Sequence, residues 1–178
     1  MQIKSERITI TTFSPDMAQS VYENSQDDDV KRFVPDEVYD SVEEAREAIE
    51  FLRSRYITTE GPFVYSVLTN DGQNIGYVQL CQLEDRLNDG HDDEKWEIGY
   101  HIARKFAGNG YATEAVKAFL PVMAEKLNIK EVYGICLVEN AASARVLEKC
   151  GFIQFYQGTG NYQGKEAQII KTVWKKYN

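Results

Sequence analysis

Residues 97–115 read EIGYHIARKFAGNGYATEA, and this stretch decides how the rest of the sequence is interpreted. A strand-like segment leads into a short loop that contains Gly108 and Gly110, and a helical segment follows the loop. Glycine lets the backbone turn sharply and approach a ligand with no Cβ in the way. The loop amides and the first N–H groups of the helix would then face one space, where aligned peptide dipoles favour a phosphate. The stretch therefore predicts a phosphate-binding strand–loop–helix unit.

Other phosphate-binding motifs match this stretch poorly. A Rossmann fingerprint needs a third glycine-like position and an acidic residue roughly 20 residues further on, and Glu139 lies well beyond that distance. A Walker loop is excluded because no Gly-Lys-Ser/Thr occurs. A simple tight turn stays an alternative for the glycines alone. A nucleotide- or dinucleotide-binding enzyme stays an alternative for the site, although few residues follow Glu139 to complete such a domain.

The segments outside this stretch predict a single α/β domain over residues 1–178. Alternating β-branched residues predict strands, and helix-start signals such as the capping box at Ser41 predict helices. The predicted strands are 6–13, 62–69, 74–83, 95–103, 131–138, 152–157 and 165–174, and the predicted helices are 15–24, 41–56, 110–127 and 140–149. The acidic run at 27–29 is predicted to be a loop.

The order of these segments predicts how the sheet is built. Three consecutive strands between 62 and 103, the first two joined by the hairpin signal NDGQ at 70–73, should be antiparallel. The strand–helix–strand unit from 95 to 138 should add a parallel neighbour through a right-handed crossover. We therefore expect one mixed, mostly antiparallel, twisted sheet with helices on both faces.

Charge and composition argue against several kinds of partner. The chain is 43% apolar and carries 28 acidic against 20 basic residues, a formal net charge of −8. We therefore expect no nucleic acid and no membrane surface as a partner, whereas a protonated amine would be attracted. No apolar run reaches the roughly 18 residues of a membrane helix, and no signal sequence is recognisable, so we expect a cytoplasmic protein. The three cysteines lack a CxxC pair, which is typical of reduced thiols rather than of a metal site.

Two motifs at matching spacing point to a family. The run AGNGYATEA at 107–115 resembles the acyl-CoA signature of the GNAT superfamily of N-acetyltransferases. Downstream, NAASARVLEKCGF at 140–152 is similar to a second motif of that superfamily, and the segment 27–49 is similar to its branch of ribosomal-protein N-terminal acetyltransferases. The resemblance covers nearly the whole chain. It implies the acyl-CoA N-acyltransferase fold with a splayed sheet, acetyl-CoA as cosubstrate, no metal, and an amine as acceptor.

By that resemblance, backbone groups hold most of the cosubstrate. The loop and the start of the helix would bind the CoA pyrophosphate, and the strand before the loop would pair with the pantetheine arm where the sheet splays open. Asn140 would hydrogen-bond the pantetheine region, and Ser143, one helical turn further on, would lie near the sulfur. The implied cofactor-binding residues are Tyr100, His101, Ile102, Ala107, Gly108, Asn109, Gly110, Tyr111, Ala112, Thr113, Asn140 and Ser143.

Two positions depart from the superfamily pattern. Ala107 stands where Gln or Arg is common, which a pocket built from backbone N–H groups tolerates. Leu147 stands where many members place a general-acid tyrosine, so the acid would be Ser143 or water. Glu97, in the strand beside the loop, is the candidate base and would act through water. The candidate catalytic residues are therefore Glu97 and Ser143.

The function implied by this resemblance is transfer of an acetyl group from acetyl-CoA to a primary amine by direct attack in a ternary complex. The amine could belong to a small molecule or to the N-terminus of a peptide or protein. A non-catalytic acyl-CoA-binding sensor of the same fold stays an alternative. The acceptor groove is expected between the segments 24–40, 84–93 and 158–164, which do not identify the acceptor. The oligomeric state, monomer or homodimer, is open.

Overall fold

The computed structural model describes residues 1–58, 61–83 and 95–176, in which strands and helices follow one another in the order that the sequence predicts, with short additions. The strands are β1 (Gln2–Lys4), β2 (Ile8–Thr11), β3 (Phe63–Thr69), β4 (Asn74–Gln82), β5 (Trp96–Ile102), β6 (Glu131–Leu137), β7 (Ile153–Tyr162) and β8 (Lys165–Lys175). The helices are α1 (Ala18–Ser25), α2 (Asp28–Phe33), α3 (Val42–Arg55), α4 (Tyr111–Lys126) and α5 (Ala141–Lys149). Short 3-10 turns cover Pro15–Met17, Pro35–Glu37 and Arg104–Phe106.

The strands of the described residues form one eight-stranded sheet in the order β1-β2-β3-β4-β5-β6-β8-β7. Each neighbouring pair is antiparallel except β5 and β6, which are parallel and are connected through α4. The predicted mixed, mostly antiparallel sheet is therefore confirmed. A doubly wound dinucleotide domain is excluded, because that fold requires a mostly parallel sheet.

The larger core lies between the sheet and α4. Phe119 and Met123 of α4 are fully buried there against strand residues such as Ile98 of β5, and α5 adds Leu147 to the same core. Burying apolar side chains of this size stabilises the fold by roughly 1.5–3 kcal/mol each. This core fixes the start of α4 relative to the end of β5.

The opposite face of the sheet is covered by α1 and α3. A smaller cluster there joins Ala18 of α1 and Ile49 of α3 to Val64 of β3. Successive side chains of a strand point to opposite faces of the sheet, so neighbouring residues of one strand contact helices on opposite sides. The sheet therefore separates an α4–α5 layer from an α1–α3 layer.

Several local signals act as predicted. Ser41 caps α3, since its side chain accepts a hydrogen bond from the backbone N of Glu44 at 3.1 Å, and Glu44 in turn accepts one from the backbone N of Asp40 at 2.6 Å. Gly151 follows α5 with φ +83°, a left-handed conformation that suits glycine after a helix. These capping interactions fix where the two helices begin and end.

The prediction of a loop at 27–29 is wrong for Asp28 and Asp29, whereas Asp27 lies outside α2 as its N-cap residue. Asp28 and Asp29 form the first turn of α2, and Lys31 and Arg32 lie in its last turn. Acidic residues at the start and basic residues at the end of a helix stabilise its dipole, which favours even this short helix. The carboxylate of Asp27 accepts a hydrogen bond from the backbone N of Arg104 at 2.7 Å and thereby ties the start of α2 to the end of β5.

One additional strand and one longer strand also differ from the predictions. β1 was not predicted, because three residues at a sheet edge are too few to show an alternating pattern. β7 continues to Tyr162 rather than ending at residue 157, since it pairs with β8 up to the tight turn at Gln163 and Gly164. No helix among the described residues has the length and apolarity needed to cross a membrane.

Candidate active site

The sheet opens between β5 and β6. These two parallel strands pair at only two positions within the described residues, Trp96 with Val132 and Glu97 with Tyr133, although each strand has seven residues. Beyond Glu97, β5 continues to pair with β4 as far as Ile102, whereas β6 pairs with β8. One edge of β5 is therefore left without a strand partner from residue 98 onward.

The loop after β5 is anchored at its start. The backbone N of Ala103 donates to Ile75 O at 2.8 Å, and a 3-10 turn then covers Arg104–Phe106. The backbone N of Ala107 closes this turn by donating to Arg104 O at 3.1 Å. The amide of Ala107 is thus already satisfied, so the set of available amides begins at Gly108.

The backbone N–H groups from Gly108 to Thr113 form what we call the amide cradle. Among the described residues, none of these groups donates to a protein acceptor, and Glu114 is the first to do so, to Gly110 O at 3.0 Å. Gly108 and Gly110 both have positive φ, +80° and +81°. A Cβ at Gly108 would meet nothing within 4 Å. The glycines therefore serve the backbone conformation and leave open space beside the amides.

Arg7 holds the amide cradle from outside. Its guanidinium donates to Asn109 O at 2.9 Å and to Glu114 Oε2 at 2.8 Å, and its backbone N donates to Glu114 Oε1 at 2.8 Å. Burial raises the pKa of Glu114, but the hydrogen bonds from Arg7 lower it by a larger amount. The pKa of Glu114 is therefore below its usual value. The guanidinium also lies 4.7 Å from the centre of the Tyr111 ring. No sequence pattern indicates this contact, because Arg7 is about 100 residues from its partners.

Positive charge lies beside the cradle despite the negative net charge of the chain. A cleft of about 500 Å³ next to Gly110 is lined by three cationic residues, Arg7, Lys117 and Lys149, and by two acidic ones, Glu6 and Glu114, of which Glu114 is paired with Arg7. These cations and the N-terminal dipole of α4 act in the same direction, since both attract an anion. The surroundings of the cradle therefore suit a ligand that carries several phosphates.

Ser143 and Tyr100 meet across the opening. The Tyr100 hydroxyl, from β5, lies 2.9 Å from Ser143 O and 3.0 Å from Ser143 Oγ, in α5. Burial raises the pKa of Tyr100, although the hydrogen bond to Ser143 lowers it, and the phenol stays protonated at neutral pH. The sequence suggested only a backbone role for Tyr100, because residues of β5 and α5 meet only once the sheet is formed.

Asn140 occupies the N-cap position of α5. Its Oδ1 accepts a hydrogen bond from the backbone N of Ser143 at 3.1 Å, which satisfies one of the first amides of the helix. Within the described part of the chain, its side-chain nitrogen makes no hydrogen bond. Asn140 therefore fixes the start of the helix that carries Ser143 and keeps a donor available.

Glu97 and Ser143 lie on opposite sides of the sheet. Alternation along β5 directs Ile98 and Tyr100 toward α4 and α5, and Glu97, Gly99 and His101 toward the α1–α3 layer. Glu97 is buried, with 8% exposure, at the last position where β5 pairs with β6. The two candidate catalytic residues therefore flank the opening from its two faces.

The face that carries Glu97 also contains a cavity, which we call the α1–α3 cavity. It has a volume of about 410 Å³ and lies between α1, α3 and the strands β3 to β5. Of the segments expected to form the acceptor groove, 24–40 contributes several lining residues, whereas 158–164 contributes none. The segment 84–93 lies outside the described residues.

His101 lines this cavity. Burial lowers its pKa, although the nearby carboxylate of Asp27 raises it, so the imidazole is neutral at pH 7. Nε2 lies 3.5 Å from Asp27 Oδ2 and makes no hydrogen bond to any part of the chain that the structure describes. His101 therefore adds no positive charge to the cavity at neutral pH.

A comparison with known families assigns this arrangement. The family described as an acetyltransferase (GNAT) domain matches residues 7–153 of the chain. The chain belongs to the GNAT acetyltransferase family. The match includes the amide cradle, Glu97 and Ser143. The family prediction made from 107–115 and 140–152 is confirmed, and the chain is an acetyl-CoA-dependent acetyltransferase.

Individual GNAT relatives agree with this assignment. The chain is 26% identical over 151 residues to the uncharacterized N-acetyltransferase YnaD of Bacillus subtilis (strain 168), covering 85% of this chain and 82% of YnaD. It is similar in structure to RimL, a ribosomal L7/L12 alpha-N-protein acetyltransferase in complex with coenzyme A, with a TM-score of 0.78, 17% identity and 98% of each chain covered. A GNAT-family acetyltransferase from Bacillus anthracis gives a TM-score of 0.78 at 21% identity, again with 98% of each chain covered. At these identities the structural likeness concerns the fold, and RimL represents the ribosomal-protein branch that the sequence resembles.

The residues of this GNAT site fit an acyl-CoA. A diphosphate requires hydrogen-bond donors that no protein group has used, and the amide cradle supplies them at the positive end of α4. A pantetheine arm carries amide groups that can pair with a free strand edge, and β5 offers such an edge beyond Glu97. The two features meet at the end of β5, as a single extended ligand requires.

Proposed function

We propose that this acetyltransferase transfers the acetyl group of acetyl-CoA to a primary amine by direct attack in a ternary complex. The amine belongs to a small molecule or to a peptide N-terminus. The single observation that carries the proposal is the opening beside β5, with the amide cradle at one end and the candidate base and acid on opposite faces. An opening reached from both faces allows the amine and the thioester to meet without either passing the other.

The amide cradle positions the cosubstrate in this proposal. The amides from Gly108 to Ala112, joined by that of Thr113, bind the pyrophosphate, and the backbone of Tyr100, His101 and Ile102 pairs with the pantetheine arm. Ala107 shapes the loop without donating its own amide, which is bonded to Arg104. The nitrogen of the Asn140 side chain binds the same arm further along.

Glu97 acts on the amine. Attack requires a neutral nitrogen, yet a lysine-type amine with a pKa of about 10.4 is only about 0.1% neutral at pH 7.4, and an N-terminal amine with a pKa of about 8 is about 20% neutral. Glu97 accepts the ammonium proton through a water molecule, which raises the reactive fraction. The need for this base is therefore greater for an aliphatic amine than for a peptide N-terminus.

The other face of the opening serves the leaving group. The nitrogen–carbon bond forms and the carbon–sulfur bond breaks, so negative charge develops first on the carbonyl oxygen and then on the sulfur. The attacking nitrogen loses a proton as the amide forms, and the sulfur gains one as CoA leaves as the free thiol. A backbone N–H at the free edge of β5 stabilises the oxyanion, a contribution worth about 3 kcal/mol when such a donor is well aimed. Ser143 donates to the departing thiolate, and the Tyr100 hydroxyl holds Ser143 in place.

Release of the CoA thiol tests this proposal. Acetyl-CoA is supplied with a panel of small amines and of peptides with free N-termini, and thiol formation is followed over time. We expect turnover with at least one class of amine, and binding of CoA in preference to NAD or ATP by calorimetry. Tight CoA binding with no thiol release across the panel would instead support the non-catalytic sensor, particularly if Glu97→Gln and Ser143→Ala changed nothing.

A further inference from the structure

The α1–α3 cavity has mostly apolar walls and two acidic residues in its lining, Asp36 and Glu37. Apolar side chains such as Phe13, Ile49 and Leu52 form much of its lining. Its volume of about 410 Å³ lies within the roughly 300–1,000 Å³ typical of pockets for small molecules. The lining among the described residues contains no Lys or Arg. A small, largely apolar ligand therefore fits this space.

The buried amides in the cavity wall already have partners. Asn24 donates to Asn74 Oδ1 at 3.0 Å, and Asn74 donates to Ser66 Oγ at 2.7 Å and to Gly76 O at 3.2 Å. This network is satisfied within the protein and serves to join α1 to the sheet. It leaves the recognition of a polar ligand group to other residues.

Of the two acidic lining residues, Asp36 is exposed whereas Glu37 is partly buried and contacts Tyr77. Tyr77 donates its hydroxyl to Glu37 Oε2, and no Lys or Arg forms an ion pair with Glu37 in the described part of the chain. Burial raises the pKa of Glu37, the Tyr77 hydrogen bond partly offsets this, and Asp36 raises it further. A desolvated carboxylate with one neutral donor is best stabilised by a cation from the ligand.

The titratable groups around Glu37 add no positive charge to the cavity. Burial raises the pKa of Tyr39 to about 12, with additional contributions from Glu37 and Glu44, and burial also raises the pKa of Tyr77. Both phenols are therefore neutral donors, and His101 is neutral at pH 7. Among the described residues that line the cavity, Asp36 and Glu37 are the acidic side chains and no Lys or Arg offsets them, so the wall attracts a cation.

The inner end of the cavity approaches the sheet opening at Gln79, whose side chain lies between the cavity and Gly99. Gln79 lines the cavity and pairs with Gly99 of β5, two residues beyond the last pairing with β6. A Cβ at Gly99 would come within 2.5 Å of Gln79 Nε2, so the Gln79 side chain lies directly over Gly99. Tyr77, which holds Glu37, is two residues from Gln79 on the same face of β4, or about 7 Å along the strand.

We propose that the α1–α3 cavity binds the acceptor, and that the acceptor is a small amine with an apolar chain and a second cationic group. Glu37 binds this second group, and the amine that is acetylated lies about 7 Å further in, beside Gln79. This inference rests on the proposed acetyl transfer for the role of the inner amine, whereas the cation site at Glu37 can be tested without it.

The experiment compares straight-chain diamines of increasing length with the monoamine of the same length. Dissociation constants are measured by calorimetry with CoA present, and kcat/KM is measured by thiol release from acetyl-CoA. We expect one diamine length to bind at least about tenfold more tightly than its monoamine, the usual scale of a charge-assisted hydrogen bond. Glu37→Gln should remove this preference and leave the monoamine dissociation constant within about twofold.

Two further variants sharpen the test. Glu47→Gln removes an exposed acid from α3 and should keep the diamine preference. Glu37→Asp keeps the charge but shortens the side chain, so the best diamine should become longer. Equal affinity for diamines and monoamines in the unchanged protein would overturn the inference. So would a peptide N-terminus that binds more tightly than every diamine, or a Glu37→Gln variant in which both amine classes weaken equally.

The two proposals fail in different ways. If diamines bind with the expected preference but no thiol is released, the cation site stands and acetyl transfer to these amines is refuted. If thiol is released equally from diamines and monoamines, acetyl transfer stands and the second cation site is refuted. Binding and turnover therefore report separately on Glu37 and on the reaction.

Discussion

The amide cradle and the α1–α3 cavity adjoin the same opening but are built from different parts of the chain. The cradle consists of consecutive backbone N–H groups, and its two special residues, Gly108 and Gly110, act through positive φ. The cavity consists of side chains from α1, α3 and three strands, with Glu37 and His101 far apart in sequence. A backbone site tolerates most substitutions outside its glycines, whereas one substitution can change what a side-chain site binds. We infer that the cradle fixes the cosubstrate and the cavity fixes the acceptor.

The largest effect should come from placing a side chain in the cradle. In Gly108→Val the new side chain disfavours φ +80° and occupies the space beside the free amides, so several hydrogen bonds to the pyrophosphate are lost. We expect CoA affinity to fall by more than about 100-fold, measured by calorimetry. Gly72→Val is the matched control, because Gly72 has φ +85°, has open space around its Cβ position, and lies in a distant hairpin. An unchanged CoA affinity in Gly108→Val would remove the loop from the binding site.

The second effect separates chemistry from cosubstrate binding. Glu97→Gln removes the candidate base from the cavity side of the sheet and leaves the cradle unchanged. We expect kcat to fall by about 100-fold, within the usual range for loss of a general base, and its pH profile to move to higher pH because the amine must then deprotonate without help. CoA affinity should stay near that of the unchanged protein. If the pH profile of the variant is the same, Glu97 does not act as the base.

A smaller effect should come from the pair that faces α5. Ser143→Ala removes a donor to the leaving thiolate, and we expect kcat to fall by about tenfold. Tyr100→Phe removes only the hydroxyl that positions Ser143, so its effect should be smaller, about threefold. Because Ser143→Ala already removes the hydroxyl that Tyr100 positions, the double variant should be no slower than Ser143→Ala alone. Multiplicative losses in kcat would show that Tyr100 acts independently of Ser143.

The contrast between the two regions also explains what the sequence could predict. Features that depend on a few neighbouring residues can be predicted from the sequence. Examples are the cap at Ser41, the hairpin at 70–73 and the glycine after α5. The glycines of the cradle belong to the same class, because left-handed backbone is a local property. For this reason the order of strands and helices follows from the sequence, whereas the family and the acetyl-CoA cosubstrate are implied by the resemblance of 107–115 and 140–152 to the GNAT motifs.

Features that depend on contacts between distant segments cannot be predicted from local sequence patterns. The 3-10 turn that uses the amide of Ala107 has no sequence signature, so the start of the cradle was placed one residue too early. The helix α2 was missed because an acidic run alone resembles a loop, and its start is tied to Arg104 far along the chain. Glu37 was not singled out for the same reason, since its partner Tyr77 lies 40 residues away. Sequence patterns report local conformation, whereas these features arise from packing between distant segments.

The smallest effect tests whether the cradle depends on any side chain. Arg7 is 43% exposed and Glu114 is 13% exposed, so we expect Arg7→Met to lower the free energy of unfolding by about 1 kcal/mol at pH 7 and to weaken CoA binding only a few-fold. Arg32→Met breaks an ion pair of similar length, 2.8 Å, in which both partners are more than half exposed, and should have less effect on either quantity.

The loss in Arg7→Met should also depend on pH. The pKa of Glu114 is lower in the folded protein than in the unfolded chain, so its stabilising contribution is complete above the unfolded pKa of about 4.3 and is lost as the pH falls through the lower folded value. The difference in unfolding free energy between the two proteins, measured in urea, should therefore shrink in strong acid. It should not vanish, because the contacts of Arg7 with Asn109 O and the Tyr111 ring do not titrate there. A difference that is the same at all pH values would show that Arg7 supports the cradle through those two contacts and not through Glu114.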